Sequence, residues 1–173
     1  MSTASTMPTL TSAIGVLREQ ARVVHRVLRV NTEGLTEEDA LYQPQPGGNC
    51  LNWVVGHLVC VNDQVLPLLG QQPVIGTDAL VQYKRGSAAL RDGEDALPLS
   101  RLLEMWDEQA ARWDAGLAVL PAEALEQPAP YSPRNNPEET VGSLLSITLF
   151  HQSYHTGQTG LLRRMAGREG AIR

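Results

Sequence analysis

The chain has 173 residues, of which 42% are hydrophobic and 19% charged, and its formal net charge is −5. That length suits one domain, residues 1–173, able to enclose an apolar core unaided, and the composition excludes a disordered chain. The Lys and Arg residues are scattered, which excludes a nucleic-acid binder working by phosphate neutralisation; the mild Arg163, Arg164, Arg168 cluster answers a helix dipole instead.

In chain order, Met1–Met7 lacks the basic start and apolar stretch of a signal peptide. A first helix is expected over Thr9–Asn31. Leu10, Ile14, Leu17, Ala21, Val24 and Leu28 recur at spacings of four and three, as a bundle seam does, and Gly34 marks its stop. Glu37-Glu38-Asp39 reads as a solvated charge run. Two prolines and two glycines between Pro44 and Gly48 forbid a regular helix there.

With Asn49 as cap, a second helix is expected from Cys50 to Leu66, ended or kinked by Pro67 and stopped at the latest by Gly70. Its buried side carries Leu51, Val54, Val55, Leu58, Val61 and Val65. Cys50 and Cys60 would stand about 15 Å apart on it, too far to pair. Unpaired cysteines, with no run near the roughly 18 apolar residues of a membrane span, lead to the expectation of a cytoplasmic protein with no membrane partner.

Residues 71–98 are irregular, with a short helix expected near Asp78–Lys84. Ser100, with Glu104 near the capping-box position, is expected to cap a third helix reaching Leu120, where Pro121 stops it. Four prolines place Gln127–Pro137 in a loop, with Glu138-Glu139 as solvated charges ahead of a helix. Thr140 caps a fourth helix over Val141–Met165, and Gly167 closes it. Few aromatics and many Leu, Val and Ala agree with an all-α four-helix bundle. The long second connection allows the two middle helices to run parallel, an up-down-down-up order.

The chemistry lies in the histidines. His151 and His155 are one helical turn apart, so their side chains share a face and can converge on one ion. Leu144, Thr148, Gln158 and Leu162 share that stripe, which is apolar at both ends and points inward. Two bare imidazoles in such a place need a metal or a hydrogen-bond network. His57, flanked one turn away by Trp53, Val54, Cys60 and Val61, also faces inward. Three imidazoles from two helices would leave coordination positions open, as a catalytic metal requires. No Glu follows His151, so the metalloprotease H-E-x-x-H pattern is absent.

His25 directly follows a seam position and is expected at a helix edge. Cys60 reads as a small buried hydrophobe or as a substitute soft ligand. Trp53 is suited to core or pocket wall, as are Trp106 and Trp113. Cys60, Tyr154 and Gln158 join Trp53 as candidates for the pocket wall or the layer supporting the ligands. No catalytic residue, phosphate loop or nucleophile elbow is recognisable.

The Pro/Gly loop, the run Asn52-Trp53-Val54-Val55-Gly56-His57-Leu58 and the late His151-Gln-Ser-Tyr-His155-Thr-Gly157-Gln158 together resemble the DinB/YfiT-like (DNA-damage-inducible) superfamily. The resemblance implies an up-down-down-up four-helix bundle. It implies one divalent metal ion, zinc or nickel, bound by His57, His151 and His155. It further implies a bacterial stress-response protein, often a homodimer, acting as a thiol-dependent S-transferase or isomerase on small electrophiles with a low-molecular-weight thiol. A metal-dependent hydrolase and a non-catalytic metal- or ligand-binding stress protein are the alternatives. Residues 71–98 and 121–139 would frame the pocket mouth, and substrate identity does not carry over.

Overall fold

The computed structural model describes residues 12–76, 79–90, 93 and 95–172. Met1–Met7, the expected first-helix residues Thr9 and Leu10, and Asp78 lie outside them. The described residues form five α-helices and no strand: α1 (Ala13–Thr32), α2 (Glu37–Leu41), α3 (Leu51–Val65), α4 (Leu99–Val119) and α5 (Val141–Met165). Short 3₁₀ turns at Leu66–Leu69, Val81–Tyr83 and Ala122–Glu126 join them. None of these helices is long and apolar enough to cross a membrane.

The helix ends show which signals were local. Thr140 Oγ1 accepts the Ser143 N–H and Ser143 Oγ accepts the Thr140 N–H, so α5 starts and ends as its sequence predicts, with Gly167 just beyond at φ +82°. For α3 the cap position falls on Cys50 rather than Asn49, one residue later than expected, and Cys50 makes no side-chain cap bond. Among the described residues 79–84, the one helical element is the Val81–Tyr83 turn.

The start of α4 departs further from expectation. Ser100 lies inside the helix, and Pro98 at the cap position offers no side-chain bond. The Leu99 N–H instead donates to both carboxylate oxygens of Glu37, at 2.9 and 3.0 Å. An anion at a helix N-terminus answers the free amides and the dipole together. Glu37 belongs to α2, which Thr36 and Asp39 open with a reciprocal capping box. The run Glu37-Glu38-Asp39 is therefore structural rather than merely solvated. Asp39 is buried against Arg168, and Glu139 is buried among Ser132, Arg134 and Ser143.

Among the long helices, α1 and α3 each pack on both α4 and α5. The buried residues fall into two apolar clusters, one containing Leu28, Val55, Leu58, Leu102 and Trp106, the other Leu17, Val65, Trp113, Leu145 and Leu149. Each fully buried Leu contributes about 2 kcal/mol by leaving water. A polar layer separates the clusters: Asn62 and Asp63 on α3, Gln109 on α4, Gln152 on α5, all buried. Gln109 Nε2 donates to the Val59 carbonyl and to Asp63 Oδ1, both at 2.9 Å, and Gln152 Nε2 donates to Asn62 Oδ1. Asp63 also accepts the Val74 and Ile75 N–H groups, pinning the connection after α3 to the bundle.

Three carboxylates report on acid stability. Hydrogen bonds from Arg168, Arg18 and Ser143 respectively are the main causes that hold Asp39, Asp114 and Glu139 down to about 2. A folded-state pKa below the unfolded one means that stability is fully present above about pH 4.5 and is lost as pH falls towards 2. Urea unfolding at pH 6, 4 and 2.5 is expected to show a midpoint that falls at each step, the histidines lowered by burial acting mainly in the first and the three carboxylates mainly in the second. An unchanged midpoint at pH 2.5 would contradict this.

Candidate metal centre

His57 comes from the middle of α3, and His151 and His155 from successive turns of α5. One ring nitrogen from each lies within 4.8 Å of the other two, a group positioned to hold a metal ion. His57 Nε2 and His151 Nε2 are 3.2 Å apart. Two nitrogens bound tetrahedrally at about 2.05 Å from one ion would be about 3.3 Å apart, so this pair already stands at ligand spacing.

The tautomers follow from the partners. The His57 Nδ1 is 2.9 Å from the Tyr83 carbonyl, which can only accept, so the proton is on Nδ1 and the Nε2 lone pair faces the cluster. His155 Nδ1 donates to Gln158 Oε1 at 2.6 Å, with the same consequence. His151 Nδ1 is buried and has no hydrogen-bond partner. Desolvation is the leading cause that lowers all three pKa values, His151 to about 4 with added repulsion from His155 and His57. Without a cation between them, the His151 proton would sit on Nε2 and be donated to His57 Nε2; with one, all three Nε2 lone pairs can point at it. The donor set therefore fits a divalent transition-metal ion, a class that imidazole ligands suit.

The motif around His57 has a physical account. Trp53, one turn before it, stacks on its ring at 4.8 Å between centroids and 12° between planes. The Trp53 indole N–H donates to the Gln82 carbonyl and the Ser87 hydroxyl, both at 3.0 Å. Asn52 Nδ2 donates to the Leu97 carbonyl, and Asn52 Oδ1 accepts the Tyr83 hydroxyl, both at 2.8 Å. The Leu97 N–H in turn donates to the Tyr83 oxygen at 2.8 Å. Gly56 lets the buried Tyr83 ring lie against α3, since a Cβ there would meet ring carbons at 2.2–2.5 Å. Asn52, Trp53 and Gly56 thus all serve to hold the segment whose carbonyl orients His57.

Tyr83 carries no helical periodicity and none of the usual ligand signatures, so nothing in the sequence marks it out. The Pro/Gly-poor stretch at residues 79–84 was its only hint.

The other candidates are placed as follows. Gln158 bonds His155 as described. Tyr154 is exposed, with its ring edge-on to His155 at 5.3 Å. Cys60 lines the same cavity but is outside the histidine group; its thiol donates to the Leu80 carbonyl at 3.5 Å, and burial pushes it up to about 11, unlike a ready thiolate. His25 sits half-buried at the edge of α1, with Nε2 2.8 Å from Asp107. Trp106 and Trp113 are core residues.

A cavity of about 720 Å³ opens over the three histidines. Trp53, Tyr131, Phe150, Tyr154, Leu144 and Ile147 give it an apolar wall. That is the size and lining of a small-molecule site.

The sequence model described as the DinB superfamily matches residues 18–159. Comparison with curated proteins gives no significant match. Among solved structures, a conserved protein from Enterococcus faecalis superposes with a TM-score of 0.69 at 16% identity, over 90% of this chain and 98% of the other. At that identity the likeness is one of fold.

Proposed function

The chain belongs to the DinB superfamily, and from that premise we propose that it is a metal-dependent enzyme of one domain, transferring a small thiol to electrophilic molecules. One observation carries this reading: three imidazole ring nitrogens converge from two helices at a cavity large enough for a small molecule. His57, His151 and His155 would hold a single zinc or nickel ion. When bound, such an ion lowers the pKa of a coordinated thiol or water and so supplies a nucleophile near neutral pH.

The protein's own groups have definable parts. The Tyr83 carbonyl and Gln158 hold the His57 and His155 protons on the nitrogens that face away from the cluster. Phe150, Tyr154 and Trp53 line the approach to the three histidines with apolar surface. No Asp or Glu is among the described residues lining the cavity. A coordinated thiol or water would each release its proton to solvent, but hydrolysis also needs a proton delivered to the leaving group, and no lining carboxylate is there to deliver it. This favours thiol transfer over hydrolysis.

The up-down-down-up order belongs to the same reading. It is supported by Arg18 pairing with Asp114 while His25 pairs with Asp107, so α1 and α4 run oppositely, and by Asn52 meeting Leu97 while Asp63 meets Gln109, so α3 and α4 run together.

Chelation separates the catalytic reading from a structural one. Metal-stripped protein is expected to keep most of its melting temperature, because two apolar clusters hold the bundle, yet to lose binding of small thiols such as cysteine or glutathione in calorimetric titration. A collapse of melting temperature on stripping, with no thiol binding by the loaded protein, would establish a structural metal instead.

A further inference from the structure

The cavity over the histidines is electrostatically one-sided. Lys84, Arg85 and Arg134 line it, against no carboxylate among the described residues. In a chain of net charge −5 that is a local inversion of sign.

The three cations are not equivalent. Arg134 donates to buried Glu139 at 2.7 Å, so its charge is already answered. Lys84 interacts with neighbouring groups and acts electrostatically on the Cys60 thiol. Arg85 is exposed and makes no hydrogen bond or ion pair with any described residue. It is well based: Arg85 follows the Val81–Tyr83 turn, which the Tyr83 hydroxyl ties to Asn52 and Leu97. A guanidinium held at the rim of an apolar cavity, near a cation site, matches an oxyanion in charge and fork geometry.

We propose that Arg85 anchors an anionic end, a carboxylate or phosphate, of the molecule that occupies this cavity, so that the substrate class is a small amphipathic anion with its apolar body along Tyr131, Phe150 and Tyr154. This rests on the metal-enzyme reading only for calling the occupant a substrate; the binding preference stands without it.

The test uses the full chain at pH 8, both metal-stripped and zinc-loaded. It titrates 2-naphthoate and its neutral analogue 2-naphthamide by calorimetry against wild type, Arg85→Gln and Arg26→Gln. Arg26 lines a separate basic cavity between α1 and α4 and controls for adventitious anion binding there.

Wild type is expected to prefer the carboxylate roughly ten- to a hundredfold in both metal states, as a charge-assisted hydrogen bond gives. In the metal-stripped protein Arg85→Gln should erase the preference while leaving amide affinity and melting temperature as they were, and Arg26→Gln should keep it; the zinc content of the loaded protein should be unchanged in both. Equal affinity of wild type for the two compounds, no binding of either, or a preference lost in Arg26→Gln rather than Arg85→Gln would each overturn the proposal. A protein that binds no zinc yet shows the Arg85-dependent preference would sink the metal reading and leave this one standing. A zinc-loaded protein without the preference would do the reverse.

Discussion

His151→Ala is expected to leave the purified protein almost free of metal, where wild type carries about one divalent ion per chain. The effect is large because the site has three protein ligands within 4.8 Å and no carboxylate or thiol in the group to take over. Structural zinc sites bind with about 10–16 kcal/mol shared among four ligands, so one imidazole is worth about 3 kcal/mol, more than a hundredfold in affinity. His25→Ala should retain full occupancy, since that ring is engaged with Asp107 and stacked on Trp106. Elemental analysis after gel filtration decides the matter. Equal metal in wild type and His151→Ala would remove the metal centre from this protein.

Gly56→Ala is expected to cost about 3 kcal/mol of stability, lower the melting temperature by about 6–12 °C and reduce bound metal as well. A single methyl group at this position would enter the Tyr83 ring at 2.2 Å from its nearest carbon. The ring cannot swing aside freely, because its hydroxyl is bonded to Asn52 on one side and Leu97 on the other. Any shift of Tyr83 moves the carbonyl that orients His57, so packing and metal binding should fail together. Gly157→Ala is the matched control. It lies in α5, where a Cβ would meet nothing within 4 Å, and it should be neutral or slightly stabilising by helix propensity. Thermal melts and metal contents of the two variants, taken side by side, test the argument; a Gly56→Ala protein that melts like wild type would refute the role given to Tyr83.

What the sequence alone determined is what local chemistry determines. The four long helices follow from repeats of three and four, and α5 has the expected bounds because its capping box and Gly167 act within one turn of its ends. His151 and His155 share a face because four residues make about one turn. Membership of the DinB superfamily was legible for the same reason, since its motifs are short contiguous runs.

Tertiary structure alone decided the rest. That His57 meets the α5 pair, as the family resemblance implied, depends on the relative placement of two helices separated by about 75 residues of chain, which no periodicity encodes. Glu37 replaced Ser100 as the cap of α4 because any well-placed anion satisfies free amides, whichever segment it comes from. The acceptor that orients His57 is a backbone carbonyl, at Tyr83, and every residue has one. Only folding the irregular 71–98 connection back onto α3 selects which carbonyl arrives.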